Sequence, residues 1–309
     1  MNNTKQNSGE WIGNVYIDDT YYSGKDEYTD GGAEDELLRI VSSGESVLQQ
    51  LSATESYVVY YHLAKEREFI VSPMNLSKDD SILEIGSGCG AISGALASMS
   101  YNVDCVELSK KRATISAYRN YDKGNMTIYV GNFCDVKLSR KYDVITMIGV
   151  LEYANYYVET DNPYSDLLKK ALEYLKPNGR IYIAIENRLG AKYFSGCKED
   201  HAGREYEGIL GYPSFAYART FSYYELKELF HQSGLEISQF FYPYPDYKFP
   251  HCIYSDEFLP QQGDFLDLAG NYTSVRRKYF DETQFLKSLR PEEYKIFANS
   301  YLICVKEKK

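Results

Sequence analysis

No run of eighteen apolar residues occurs in the 309-residue chain, so no segment is expected to cross a bilayer as a helix. The opening MNNTKQNSGE lacks the basic and apolar stretches of a signal peptide, and the expected location is the cytoplasm. Basic tracts of five or more are also missing, and 34 Lys and Arg stand against 44 Asp and Glu, a formal net charge of −10. A long phosphate backbone is a poor partner for such a surface, which argues against nucleic-acid substrates. C-x-x-C spacing does not occur: Cys89, Cys105, Cys134, Cys197, Cys252 and Cys304 are scattered, as expected of buried thiols acting as small hydrophobes. His62, His201, His231 and His251 show no H-x-x-x-H or H-x-x-E-H spacing, so no metal site is expected.

Tyrosine, by contrast, is abundant, at 32 residues. Most are expected on half-buried faces. Those at Tyr153, Tyr156, Tyr157, Tyr206, Tyr212 and Tyr217 cluster where flat faces and hydroxyls would suit a sugar or another polar ring.

The organising stretch is Ser81 to Gly90, SILEIGSGCG. A buried strand (Ile82, Leu83, Ile85) breaks into Gly86, Gly88 and Gly90 before a helix of small and apolar residues, a place where backbone N–H groups meet a nucleotide-like ligand unobstructed by Cβ atoms. Gly86, Gly88 and Ala91 also satisfy the dinucleotide fingerprint G-x-G-x-x-G/A. Glu107, closing the next strand, suits the ribose of either NAD or S-adenosylmethionine. Two features separate the two cofactors. Glu84 stands two residues before the first glycine, where it would repel a pyrophosphate, and the third glycine completes E-x-G-x-G-x-G. Here the chain resembles the class I methyltransferases that use S-adenosylmethionine.

The rest of the chain extends that resemblance. Strands at 81–86, 102–107, 126–130, 142–148 and 180–186 alternate with helices at 90–100, 109–121 and 164–175, the pattern of a doubly wound, Rossmann-like α/β sheet. Pro177-Asn178-Gly179 reads as a turn before the fifth strand. A helix at 221–233 with a Ser222/Glu225 capping box leads to a sixth strand at 235–242. The seven-stranded sheet closes with a reversed last strand, Ser300 to Val305. Before the sheet, residues 1–32 read as an extended leader that either crosses the cofactor site or is mobile. Glu34 to Ser42 and Tyr57 to Val71 read as helices. The expected organisation is leader and short helices over 1–56, then a methyltransferase domain over 57–309. That domain carries insertions at 187–220 and 243–298, the second a lid or an interface element.

The resemblance implies cofactor contacts from Glu84, Gly86, Ser87, Gly88, Gly90, Glu107, Leu108, Asn132, Phe133 and Ile148, with Tyr61 and Arg67 covering from upstream. Asn132 replaces the usual aspartate, and its carbonyl can still accept from the adenine amino group. Val150-Leu151-Glu152-Tyr153 matches a motif of small-molecule methyltransferases, with tyrosine in place of histidine. The run from Glu186-Asn187-Arg188 to Ala218-Arg219-Thr220, together with YPYPDYKFP, resembles methyltransferase domains found with bacterial surface-polysaccharide and glycosyltransferase machinery. His201, with Glu199 and Asp200 beside it, is the expected base because an unperturbed imidazole titrates near neutrality. Glu186 competes for that role. Tyr153, Asn187, Arg204, Tyr212 and Arg219 are the expected substrate contacts.

The expected reaction is methyl transfer from S-adenosyl-L-methionine to a small polar acceptor, with the hydroxyl of a sugar or nucleotide-sugar ahead of nitrogen. An NAD-dependent oxidoreductase and a non-catalytic scaffold in a glycan-assembly complex are the alternatives. A glycosyltransferase-associated protein and a second copy of the chain are the implied partners.

Overall fold

The computed structural model describes residues 9–215, 217–261, 263–265 and 278–309. The chain divides into two compact units, 1–146 and 147–309.

In the first unit, β1 (Gly9–Ile12) and β2 (Val15–Asp18) form an antiparallel pair. The leader is therefore partly sheet, because β2 continues in parallel register onto β5 (Met126–Val130), with Tyr16 opposite Thr127. Inward of β5 lie β4 (Asn102–Glu107) and β3 (Ser81–Ile85), both parallel, and then β6 (Tyr142–Ile148). All five residues of β3 are buried, as a parallel strand covered on both faces requires. The helices Ser93–Met99 and Lys110–Arg119 follow β3 and β4. Ser109 caps the second, its side chain accepting from Arg112 N.

The sequence suggested one helix over 57–71. Instead an α-helix, Tyr57–Leu63, gives way at Ala64, whose ψ is 133°, to a 3-10 segment, Lys65–Met74. The cause lies elsewhere in the chain. Arg119 donates to the carbonyls of His62 and Leu63, acceptors that a continuing helix would need for its own amides.

In the second unit, β7 (Leu175–Glu186) is flanked by β10 (Ser300–Glu307), which is flanked in turn by β8 (Leu235–Tyr244) and β9 (Cys252–Ser255), every pair antiparallel. β10 is the expected reversed strand. β7 begins earlier than expected, so Pro177-Asn178-Gly179 lies inside the strand, with Asn178 at φ 65°. The helix Tyr223–Gln232 carries the full Ser222/Glu225 capping box. Within the 243–298 excursion the structure adds β9 and the helices Glu282–Ser288 and Pro291–Phe297; residues 262 and 266–277 of that excursion lie outside the described residues. Tyr193, Tyr242, Tyr294 and Tyr301 are buried side chains of this unit, so part of the tyrosine excess is core. The architecture is the doubly wound, Rossmann-like α/β fold expected from the sequence, with three strands beyond the seven. Among the described residues, no helix is long and apolar enough to cross a membrane.

Candidate active site

The glycine turn of the first unit is shaped by two different demands. Gly90 has φ +72°, and a Cβ there would lie 2.4 Å from Ser116 Oγ and 2.7 Å from Asn120 Nδ2; it is a packing glycine. Gly88, at φ +53°, has nothing within 4 Å of the position a Cβ would take. Its amide donates to Glu107 Oε2 at 2.7 Å, and Glu107 Oε1 accepts from Ser109 N at 2.9 Å. Each carboxylate oxygen keeps a lone pair for a ribose hydroxyl. Ser87 Oγ is buried without a hydrogen-bond partner. The open space over Gly88 and the unspent Ser87 hydroxyl fit a ligand with polar edges.

Glu84 is buried, its carboxylate accepting from the Cys105 thiol at 3.3 Å. Burial pushes its pKa up to about 7, so near neutral pH it can donate as well as accept. Beyond β5, Asn132 Oδ1 accepts from Cys134 N at 3.0 Å, closing a turn. Phe133 is buried, Leu108 and Ile148 partly so. Arg67 is buried rather than on the surface and lies over the Tyr61 ring at 4.0 Å. The leader reaches this side too. A Cβ on Gly131 would lie 2.7 Å from the Tyr21 carbonyl, and Asp26 Oδ1 accepts from Lys110 N at 2.7 Å.

A second constellation lies within residues 147–309. Glu186, at the end of β7, and Glu152, after β6, are fully buried. His201 comes from the loop after Phe194, and its ring is tied by Nδ1 to Glu199 Oε1 at 3.1 Å. Glu199 also accepts from the amides of His201 and Ala202 and from the Tyr212 hydroxyl. The other ring nitrogen, Nε2, stands 3.8 Å from Glu152 Oε1, a charge pair too long for a hydrogen bond. Tyr153 meets the imidazole edge-to-face, with ring centroids 5.2 Å apart. Burial opposes charge on His201, but Glu152, Glu199 and Glu186 outweigh it and hold the imidazole well above its ordinary pKa.

Glu186 pairs with Lys248, whose Nζ is 2.5 Å from Oε1. The approach is an ion pair outside hydrogen-bond angles, because both Glu186 oxygens lack an aligned donor. Burial raises the Glu186 pKa, but Lys248 and His201 carry it below the usual carboxylate value. Lys248 also meets Asp200 Oδ1 at 3.0 Å. Buried Lys192 bridges Asp200 at 2.8 Å and Asp246 at 2.9 Å.

Several expectations change here. His201 is close to two carboxylates, but the protonated ring they favour cannot accept a proton, so the argument from an unperturbed pKa fails. Asp200 does not support the ring; it turns to Lys192 and Lys248. Asn187 donates to Ile296 and Ala298 carbonyls and accepts from Leu189 N, so its amide braces the turn after β7 instead of facing a substrate. Tyr212 spans Glu199 and Thr220. Arg219 pairs with Glu225 at 3.1 Å while 44% exposed, and Arg204 is exposed. Glu152 is the residue the sequence reading passed over. It stood in the quoted motif, one position before the tyrosine that drew attention, and an acidic residue closing the apolar run just after a strand was the available signal.

Residues 83–181 match the family described as methyltransferase domain. The chain is 25% identical over 180 residues to the ubiquinone biosynthesis O-methyltransferase of Rickettsia canadensis, covering 56% of this chain and 71% of that enzyme. The Rickettsia typhi enzyme of the same name is 29% identical over 137 residues, with 42% and 52% covered; the chain thus spans about half the length of that relative. The CcbJ methyltransferase structure from Streptomyces caelestis aligns over 79% of this chain and 90% of its own, at 17% identity and TM-score 0.47. With the match beginning inside β3 and running through the glycine turn, the chain carries a methyltransferase domain whose cofactor is S-adenosyl-L-methionine.

Proposed function

We propose that this chain methylates a hydroxyl on a small polar acceptor, a sugar or related ring, and that the buried Glu152–His201–Glu199 array handles the acceptor's proton. Bound S-adenosylmethionine supplies a methyl carbon activated by its sulfonium. Glu84, Ser87, Gly88, Glu107, Asn132 and Phe133 would hold it, with the leader and the Tyr61–Arg67 stack as further walls. The relatives named as O-methyltransferases support oxygen as the accepting atom.

The observation that carries the proton role is the geometry of the pair. Glu199 fixes the His201 ring so that Nε2 faces Glu152, and Glu152 Oε2 is buried without a partner. Burial raises the Glu152 pKa, with His201 opposing the rise. An acceptor hydroxyl placed at Oε2 can give up its proton to that carboxylate while the imidazolium steadies the charge. Tyr153 offers a flat face beside the ring. Glu186, held as a carboxylate by Lys248, suits hydrogen bonding to neighbouring hydroxyls.

The test is calorimetric titration with S-adenosylhomocysteine, with NAD as control, followed by a screen of sugar and nucleotide-sugar acceptors for methyl uptake in the presence of EDTA. Glu152→Gln should leave S-adenosylhomocysteine affinity unchanged and lower turnover by about a hundredfold or more. Unchanged turnover would remove Glu152 from the reaction.

A further inference from the structure

We propose that Glu152, Glu186 and His201 also form a binding site for a divalent metal ion. These three residues each place one ligand atom within 4.8 Å of the others. They come from three places in the sequence, after β6, at the end of β7 and in the following loop, so no spacing motif announces them.

Three observations carry the site. First, Glu152 Oε2 and Glu186 Oε2 have no hydrogen-bond donor, the Lys248 ammonium meeting Glu186 at Oε1, while Glu152 is 1% and Glu186 0% exposed. Buried carboxylate oxygens left without donors are costly unless something outside the chain completes them. Second, the linked cluster is short of positive charge. With the imidazole neutral, as a ligand must be, Glu152, Glu186, Glu199, Asp200 and Asp246 face Lys192 and Lys248, an excess of three negative charges. A divalent cation offsets two of them. Third, one ion can reach the pair. Metal–ligand bonds of about 2.1 Å allow two ligand atoms of one ion to lie at most about 4.2 Å apart. The 3.8 Å between His201 Nε2 and Glu152 Oε1 is within that span. Glu199 on Nδ1 is the partner that orients a ligating histidine.

One imidazole with two carboxylates suits an intermediate ion such as Mn²⁺ or Zn²⁺ better than Ca²⁺. Binding requires His201 Nε2 to release its proton, so ion and proton are alternatives at the same place. The ion would act as a Lewis acid toward an acceptor oxygen. The site uses the same cluster as the proposed reaction, but its occupancy is measured without any acceptor.

The experiment is binding of Mn²⁺ to EDTA-stripped, desalted full-length chain, read by electron paramagnetic resonance and calorimetry, with Zn²⁺ and Mg²⁺ titrated in parallel. One saturable ion per chain is expected. Glu152→Gln and Glu186→Gln, which keep side-chain shape, should each weaken it by about tenfold or more while retaining the metal-free melting temperature within a few degrees. His201→Ala should do the same, and any variant that fails to fold is judged by the remaining two. No binding of Mn²⁺, Zn²⁺ or Mg²⁺ to the natural chain, or equal binding by the isosteric variants, would overturn the assignment. Either result would leave turnover in EDTA, and hence the proposed methyl transfer, standing.

Discussion

Lys192 offers the most direct test of how the second unit is held together. It is 2% exposed and its ammonium lies 2.8 Å from Asp200 and 2.9 Å from Asp246. Burial opposes the charge, yet the two aspartates raise its pKa far above the ordinary lysine value. Lys192→Met keeps the stem and removes the charge, leaving Asp246 buried without the ammonium it pairs with. Breaking a buried pair from one side costs about 3–5 kcal/mol. For 309 residues the unfolding entropy is about 0.65 kcal/mol per degree, so the melting temperature should fall by about 5–8 °C. Adding Asp246→Asn removes the stranded charge while its remaining oxygen can still accept from Lys248 N, which Asp246 Oδ1 does at 2.9 Å. The double variant should therefore recover part of the loss. Differential scanning calorimetry on the single and double variants reads both effects. A fall of less than 2 °C for Lys192→Met, or a double variant less stable than the single one, would refute the reasoning.

The glycine turn makes a paired prediction: Gly88→Ala should fold with a penalty of about 1–2 kcal/mol for its left-handed backbone yet lose S-adenosylhomocysteine affinity about tenfold, because its methyl enters open space. Gly90→Ala should instead lower thermal stability, since its methyl meets Ser116 and Asn120. Glu225 gives a pH signature. Burial raises its pKa, but Arg188 and Ser222 hold it down to about 2. A depressed carboxylate stabilises above its unfolded value of 4.5, and that contribution fades as pH falls toward 2. With its side chain 29% exposed, Glu225→Gln should cost on the order of 1–2 kcal/mol at pH 7. Urea titrations should show the gap from the natural chain narrowing between pH 5 and pH 3; a gap that widens there would count against the assignment.

Features resting on near neighbours were legible in the sequence. The Ser222/Glu225 box, the glycine turn and the apolar strands each depend on residues within one turn or one pleat. What failed depended on distant partners. The break at Ala64 needs Arg119, and the strand at Val15–Asp18 needs β5, more than a hundred residues on. The protonation of His201 is of the same kind. Glu199 and Asp200 both stood beside it, but only the fold decides that Asp200 turns to lysines while Glu152 takes its place.

The link between the leader and the helix Lys110–Arg119 bears on where a self-sufficient folding unit could begin. Buried Arg112 is neutralised by Glu34, at 2.7 Å from Nε, and by Asp30, which also holds His62 at 2.9 Å. Cutting the chain at residue 57, where the regular methyltransferase pattern starts, would take away both carboxylates together with the helix that covers Arg112, and would bare Cys89 and Ile115, which pack on Leu37 and Ile40. In evolutionary terms the upstream segment is then an obligate companion of the glycine-turn half, and a recombination event that separated them would have to re-cover that face at the same stroke.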